Sequence, residues 1–278
     1  LVLSVIIILP PPSIKPTIGW FWNGVPPAQA SDADCINFNA KGAPSTTSKE
    51  GEYPITEPVQ RYGFGKSGLA HFVEHLMFKG TKKYRNNFFS NFISKNGGSQ
   101  NAFTSYDYTA YYQTVPKGII EKVIELEADR MKNLILSEDE VKTERNVILE
   151  ERYQRIDSNS SSILDESMQK ALFPNTNYGT PIIGWEHEIK SLTYNDVLEF
   201  YEKYYDPSNA IVIYSGDIDI KSLKVMTKKY FGKIKGLEKI ERIKLVDPPM
   251  KTNIKIKLKD PENKQRVWKR FYKFFSYN

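Results

Sequence analysis

The sequence predicts an α+β fold, a mainly antiparallel sheet covered by helices, and three observations carry that expectation. In Gly68-Leu-Ala-His-Phe-Val-Glu-His-Leu-Met-Phe-Lys-Gly80, the apolar residues Leu69, Phe72, Val73, Leu76, Met77 and Phe78 supply a core-facing surface at helical spacing. Gly97-Gly98 make a turn, and the aromatic, β-branched stretch after it, through Val115, reads as a strand pair. Later, Tyr204-Tyr-Asp-Pro-Ser-Asn-Ala-Ile-Val-Ile-Tyr-Ser-Gly-Asp217 reads as a helix end, a proline turn, a buried strand, and a Gly-Asp turn opening a helix over Ile218–Phe231. The 278 residues, 40% apolar and 26% charged, suit one large globular domain or two small ones.

The first of these helices also carries chemistry. His71 and His75 are four apart, so both imidazoles share one helix face and can reach a single metal ion. Glu74 stands between them, close enough to hold a metal-bound water. The order His-x-x-Glu-His is the inverse of the commoner His-Glu-x-x-His of zinc proteases. The plainer alternative is an amphipathic helix with incidental polar residues. Yet two of the chain's three histidines fall here.

A catalytic zinc needs a third protein donor and one open position. Residues Val141 to Arg155 are helical in composition, and Ser137 with Glu140 makes a capping box before them. Glu144 and Glu151 are seven apart, nearly two turns, and share a face. Glu150 points away from that face and is the weaker candidate. Each acid alone reads more readily as a solvated helix charge.

Taken together these residues resemble the pitrilysin or insulinase family of zinc metallopeptidases, most closely the bacterial relatives of the mitochondrial processing peptidase. That pattern is His-x-x-Glu-His, then about 76 residues, then a glutamate in Glu-Arg-x-x-x-x-x-Glu, matched by Glu144-Arg145 through Glu151. Carried over residue by residue, the resemblance implies that His71, His75 and Glu151 bind one Zn2+ per chain. It makes Glu74 the general base and Glu144 a supporting acid behind the ligands. It implies a pitrilysin-type half-domain, with the motif helix near the sheet's edge and the Glu144–Glu151 helix closing the site. Asn101-Ala102-Phe103-Thr104 match an edge strand that lays a peptide substrate beside it; without the motif this would be an ordinary hairpin. Tyr178–Trp185 and Tyr204–Asp217 also resemble the family and read as folding elements.

The expected function is a zinc-dependent endopeptidase acting on peptides or unfolded segments. The resemblance runs from about Gly65 to Gly232 and weakens afterwards. The chain divides accordingly into an atypical Pro-rich segment over 1–62, a catalytic half over 63–234, and a basic linker with the start of a second half over 235–278. Family members close two halves around the substrate, the second supplying an Arg/Tyr pair for which this chain has no match. A second chain would supply it. The alternative is a truncated or non-catalytic member, an assembly subunit or a decayed fragment, with little activity alone.

Other readings are weaker. Gly65-Lys66-Ser67 matches the end of a phosphate-binding loop, but Gln60 stands where that loop needs glycine. Residues 221–278 hold 18 Lys/Arg against 5 Asp/Glu. However, Ile254, Ile256 and Leu258 alternate with Lys255, Lys257 and Lys259, which reads as a strand with one wet face rather than a nucleic-acid surface. His187, among Trp185, Glu186 and Glu188, reads as a surface histidine. A single cysteine, Cys35, excludes an internal disulfide. Pro10-Pro-Pro12, Pro26-Pro27 and the stretch from Gly42 read as sequence that does not pack in central strands. The opening run Leu1–Leu9 is too short to span a membrane. Ala28-Gln29-Ala30 has a small-x-small export-cleavage look without a basic region before it, and compartment stays open.

Overall fold

The computed structural model describes residues 65–236, 245–263 and 265–273, together with the backbone of 2–9. The Pro-rich stretch, Cys35 and the Ala28-Gln29-Ala30 signature lie outside the described residues.

Among the described residues the sheet is four-stranded and wholly antiparallel. It comprises β1 (Val2–Leu9), β2 (Ser99–Thr104), β3 (Thr109–Pro116) and β4 (Ile211–Ser215), in the order β2-β3-β1-β4. The hairpin expected after Gly97-Gly98 is β2 and β3, and the strand expected in the Tyr204–Asp217 stretch is β4. β1 corrects the expectation that the N-terminal segment stays out of the sheet. It is central, with Ile6 opposite Tyr112 of β3 on one side and Ile213 of β4 on the other. The reason is local: these eight residues hold no proline, so the backbone can donate along both edges, and β-branched residues favour extended backbone. The prolines begin only at Pro10, one residue past the strand.

Helices cover the sheet: α1 (Leu69–Leu76), α2 (Phe88–Lys95), α3 (Ile120–Asn133), α4 (Glu138–Arg152), α5 (Ser160–Leu172), α6 (Glu186–Ser191), α7 (Tyr194–Tyr204) and α8 (Ile220–Tyr230). In α1, Leu69, Phe72, Val73 and Leu76 are buried in the core, and the helix packs among α4, α7 and the β2–β3 hairpin. Burying each such side chain contributes roughly 1.5–3 kcal/mol. That packing fixes α1 against the sheet and leaves the opposite face for His71, Glu74 and His75. The capping box expected at Ser137 is formed, with Glu140 N–H donating to Ser137 Oγ and Ser137 N–H to Glu140 Oε2. The last expected helix is present as α8, capped by Asp219 through Ser222 N–H.

One expected strand does not form. Residues 254–258 are irregular, and Ile254 and Leu258 are 42% and 45% exposed. Alternation makes a strand only where a neighbouring strand completes its hydrogen bonds, and no described strand pairs with this one.

Candidate functional site

The start of α1 is set by two glycines. Gly68, φ +79°, packs on Gly184, φ +94°, and a Cβ on either would fall 2.3 Å from Ile183 O or 2.6 Å from Ser67 O. Ser67 ties the joint: its Oγ accepts from Trp185 N–H at 2.8 Å and its N–H donates to Glu188 Oε2 at 2.6 Å. Lys66, the lysine of the phosphate-loop decoy, pairs instead with Asp196 at 2.5 Å. His187 is exposed, as expected of a surface histidine.

From this start α1 turns three polar side chains toward the end of α4. Nε2 of His71 and Nε2 of His75 stand 3.6 and 3.5 Å from one oxygen, Oε2 of Glu151. Glu150 is exposed and bonds Gln154 instead. Among the described residues, His71, His75 and Glu151 present donor atoms all within 4.8 Å of one another. Glu144 stands behind them: Nδ1 of His75 lies 2.8 Å from its Oε1 and Lys79 Nζ 2.6 Å from its Oε2. Glu74 sits beside the group, its Oε2 accepting from Thr104 Oγ1 of β2 at 2.6 Å.

Burial and these partners set the electrostatics. Burial, then the charges of His75 and Arg155, hold His71 down to about 3, so its imidazole is neutral near pH 7. Burial also works against protonating His75, but the Glu144 hydrogen bond and the Glu144, Glu151 and Glu74 charges raise it above its ordinary value. The His75 hydrogen bond and Lys79 pull Glu144 down to about 2 against its burial. Burial raises Glu74 above the usual carboxylate range, while Thr104, His75 and Arg155 pull the other way and Glu151 adds to the rise.

The donor set fits zinc. Ligands at about 2.0–2.1 Å from a tetrahedral zinc are about 3.4 Å from one another, close to the 3.5 and 3.6 Å found. Glu151 Oε2 is buried with no hydrogen-bond donor among the described residues, which is costly for a carboxylate oxygen unless a cation shares the site. His71 Nδ1 is likewise buried without a hydrogen-bond partner among the described residues. Two nitrogens, one carboxylate oxygen and a neighbouring unliganded glutamate can activate water and polarise a carbonyl around such an ion.

The site opens into a cleft of about 650 Å³, walled by β2 at Asn101–Thr104, by Arg155 and Ile156, by α5 at Asp165, Glu166 and Gln169, and by Pro181–Ile183. Among the described strands β2 lies at the sheet's edge, so the four residues matched to a substrate edge lie where a further strand can pair. Phe103, 43% exposed, packs edge-on against Tyr108 and Tyr112. Several contacts escaped the sequence reading: Thr104 on Glu74, Lys79 on Glu144, and Arg155, 3.0 Å from Glu151 Oε1. Of these, only Arg155, four residues after Glu151, had a spacing signal.

Residues 65–186 match the family described as Insulinase (Peptidase family M16), and 191–271 match the Peptidase M16 inactive domain. The zinc protease PqqE of Helicobacter pylori is 36% identical over 174 residues, which is 63% of this chain and 39% of that protein. The mitochondrial-processing peptidase subunit beta of Bos taurus is 31% identical over 195 residues, 70% of this chain and 39% of that one. Among solved structures, a protease from Helicobacter pylori superposes with a TM-score of 0.65 at 28% identity, covering 86% of this chain and 46% of its own. The periplasmic protease PqqL from Escherichia coli, at a TM-score of 0.60 and 22% identity, covers 86% of this chain and 22% of its own, and shares the fold. The chain thus spans less than half the length of these relatives.

Proposed function

Because the chain belongs to the insulinase (M16) family of peptidases, we propose that it is a zinc-dependent endopeptidase whose ion is held by His71, His75 and Glu151. The observation that carries this reading is Glu151 Oε2, buried without a hydrogen-bond donor among the described residues and lying 3.6 and 3.5 Å from the Nε2 atoms of His71 and His75. Zinc, when bound, supplies a Lewis acid and makes a water acidic enough to attack at neutral pH.

The chain's own residues do the rest. Glu144 accepts from His75 Nδ1–H and so leaves Nε2 as the free lone pair. Glu74 takes a proton from the attacking water and returns it to the leaving amine. Its raised proton affinity suits that exchange, and Thr104 holds one carboxylate oxygen in place. The edge of β2 at Asn101–Thr104 pairs with the backbone of an extended peptide, so recognition falls on main chain more than on sequence. Arg155, facing the cleft, balances the carboxylates of Glu74 and Glu151. The peptide would be enclosed fully only with a second half, beyond the roughly 39% of PqqE that this chain matches.

Glu74→Gln is the direct test. Incubated with an unstructured peptide, the wild-type chain should give internal cleavage products by mass spectrometry, and Glu74→Gln should retain zinc yet give none. Cleavage at the wild-type rate by Glu74→Gln removes the general-base assignment.

A further inference from the structure

Arg152 comes directly after Glu151 in sequence, is only 5% exposed, and has no part in the chemistry above. Its guanidinium joins three elements. Nη1 and Nη2 donate to the two carboxylate oxygens of Glu166 on α5 at 2.8 and 3.0 Å. Nη2 also donates to Asp157 Oδ1 at 3.0 Å, in the wide π turn Tyr153–Asp157 at the end of α4. Nη1 donates to the carbonyl of Gly184 at 2.7 Å, with the indole of Trp185 6.0 Å from the guanidinium.

The Gly184 carbonyl is the informative partner. The Gly184-Trp185 turn is fastened to the start of α1 by the Gly68 contact and by Trp185 N–H on Ser67 Oγ. Arg152 fastens the same turn to the last residue of α4. One turn therefore locks the helix that carries His71 and His75 to the helix end that carries Glu151. A metal site tolerates errors of only about 0.2 Å in its donors, and these donors come from helices far apart in sequence. A planar guanidinium can hold a bidentate carboxylate and a carbonyl in fixed directions together, which an ammonium cannot.

We propose that Arg152 is a positioning residue that sets Glu151 Oε2 at its separation from the two histidine nitrogens. The inference rests on the metal site proposed above. The test uses the full chain, with zinc affinity measured by competition against a chromophoric chelator and donor geometry read from the visible absorption of the cobalt(II)-substituted protein. Arg152→Met should bind zinc up to about 100-fold more weakly, and Arg152→Lys about tenfold, as for other partners behind metal ligands. Both should change the cobalt spectrum, whereas a purely structural role would lower the melting temperature and leave that spectrum alone in the folded fraction. If Arg152→Met does not fold, Arg152→Lys decides. If neither folds, Glu166→Gln, which loosens one anchor of the guanidinium, is read the same way, with several-fold weaker zinc expected. A folded variant with wild-type affinity and an unchanged cobalt spectrum overturns the role of Arg152 alone. A wild-type chain that binds no zinc overturns the metal site and this inference with it.

Discussion

Glu144 and His75 meet through Oε1 and Nδ1 at 2.8 Å, and this contact decides what the imidazole can offer on its other side. With Nδ1 engaged by a carboxylate, Nε2 is the nitrogen turned to Glu151, the one from which a neutral imidazole would bind a metal ion. Lys79, 2.6 Å from the second oxygen of Glu144, keeps that carboxylate charged and in place.

Glu144→Gln should therefore weaken zinc binding by about 10–100-fold while the chain stays folded. A zinc titration against a competing chelator, with circular dichroism as the control for folding, checks it. Unchanged affinity would mean that Glu144 is a bystander.

Thr104→Val keeps the shape of the side chain and removes the hydroxyl that Glu74 Oε2 accepts from. A hydrogen bond to a charged group contributes about 1.5–3 kcal/mol, so kcat should fall on the order of tenfold or more. Zinc content should not change, since Thr104 touches no proposed ligand. Loss of zinc in this variant would contradict the separation of the two roles.

The stability of the metal-free chain should depend on pH through His71. Its folded value is held down to about 3 from an ordinary 6.5, first by burial and then by His75 and Arg155. A depressed folded value means that the unfolded chain binds the proton more readily. Stability from this group is full above about pH 6.5 and is lost as pH falls toward about 3. Between about pH 7 and pH 4 the melting temperature of the metal-free protein should fall less steeply in His71→Leu than in wild type. Equal slopes would show that His71 titrates as it does in water.

Much of the site is legible in the sequence because it rests on local spacing. The i,i+4 pair His71 and His75 and the seven-residue interval from Glu144 to Glu151 fix faces of helices, and helix faces can be read from sequence alone. The capping box at Ser137 and the turn at Gly97-Gly98 are equally local. What spacing cannot give is the closure between elements. Thr104 reaches Glu74 across 30 residues, and Ser67 meets Trp185 across 118, contacts that exist only once the fold has formed. Val2–Leu9 is obscured by its neighbours, since the prolines after it mask a run that itself favours a strand. The alternation at 254–258 fails in the opposite way, a strand pattern with no described strand beside it.

Whether side chains from α1 and α4 hold one metal ion is tested most directly by the zinc content of the purified chain after exhaustive dialysis. About one zinc per chain, falling away in Glu151→Ala and His71→Ala but kept in Glu74→Gln, is the result expected. A folded wild-type chain that retains no zinc would contradict the shared site, and with it the peptidase chemistry proposed for these residues.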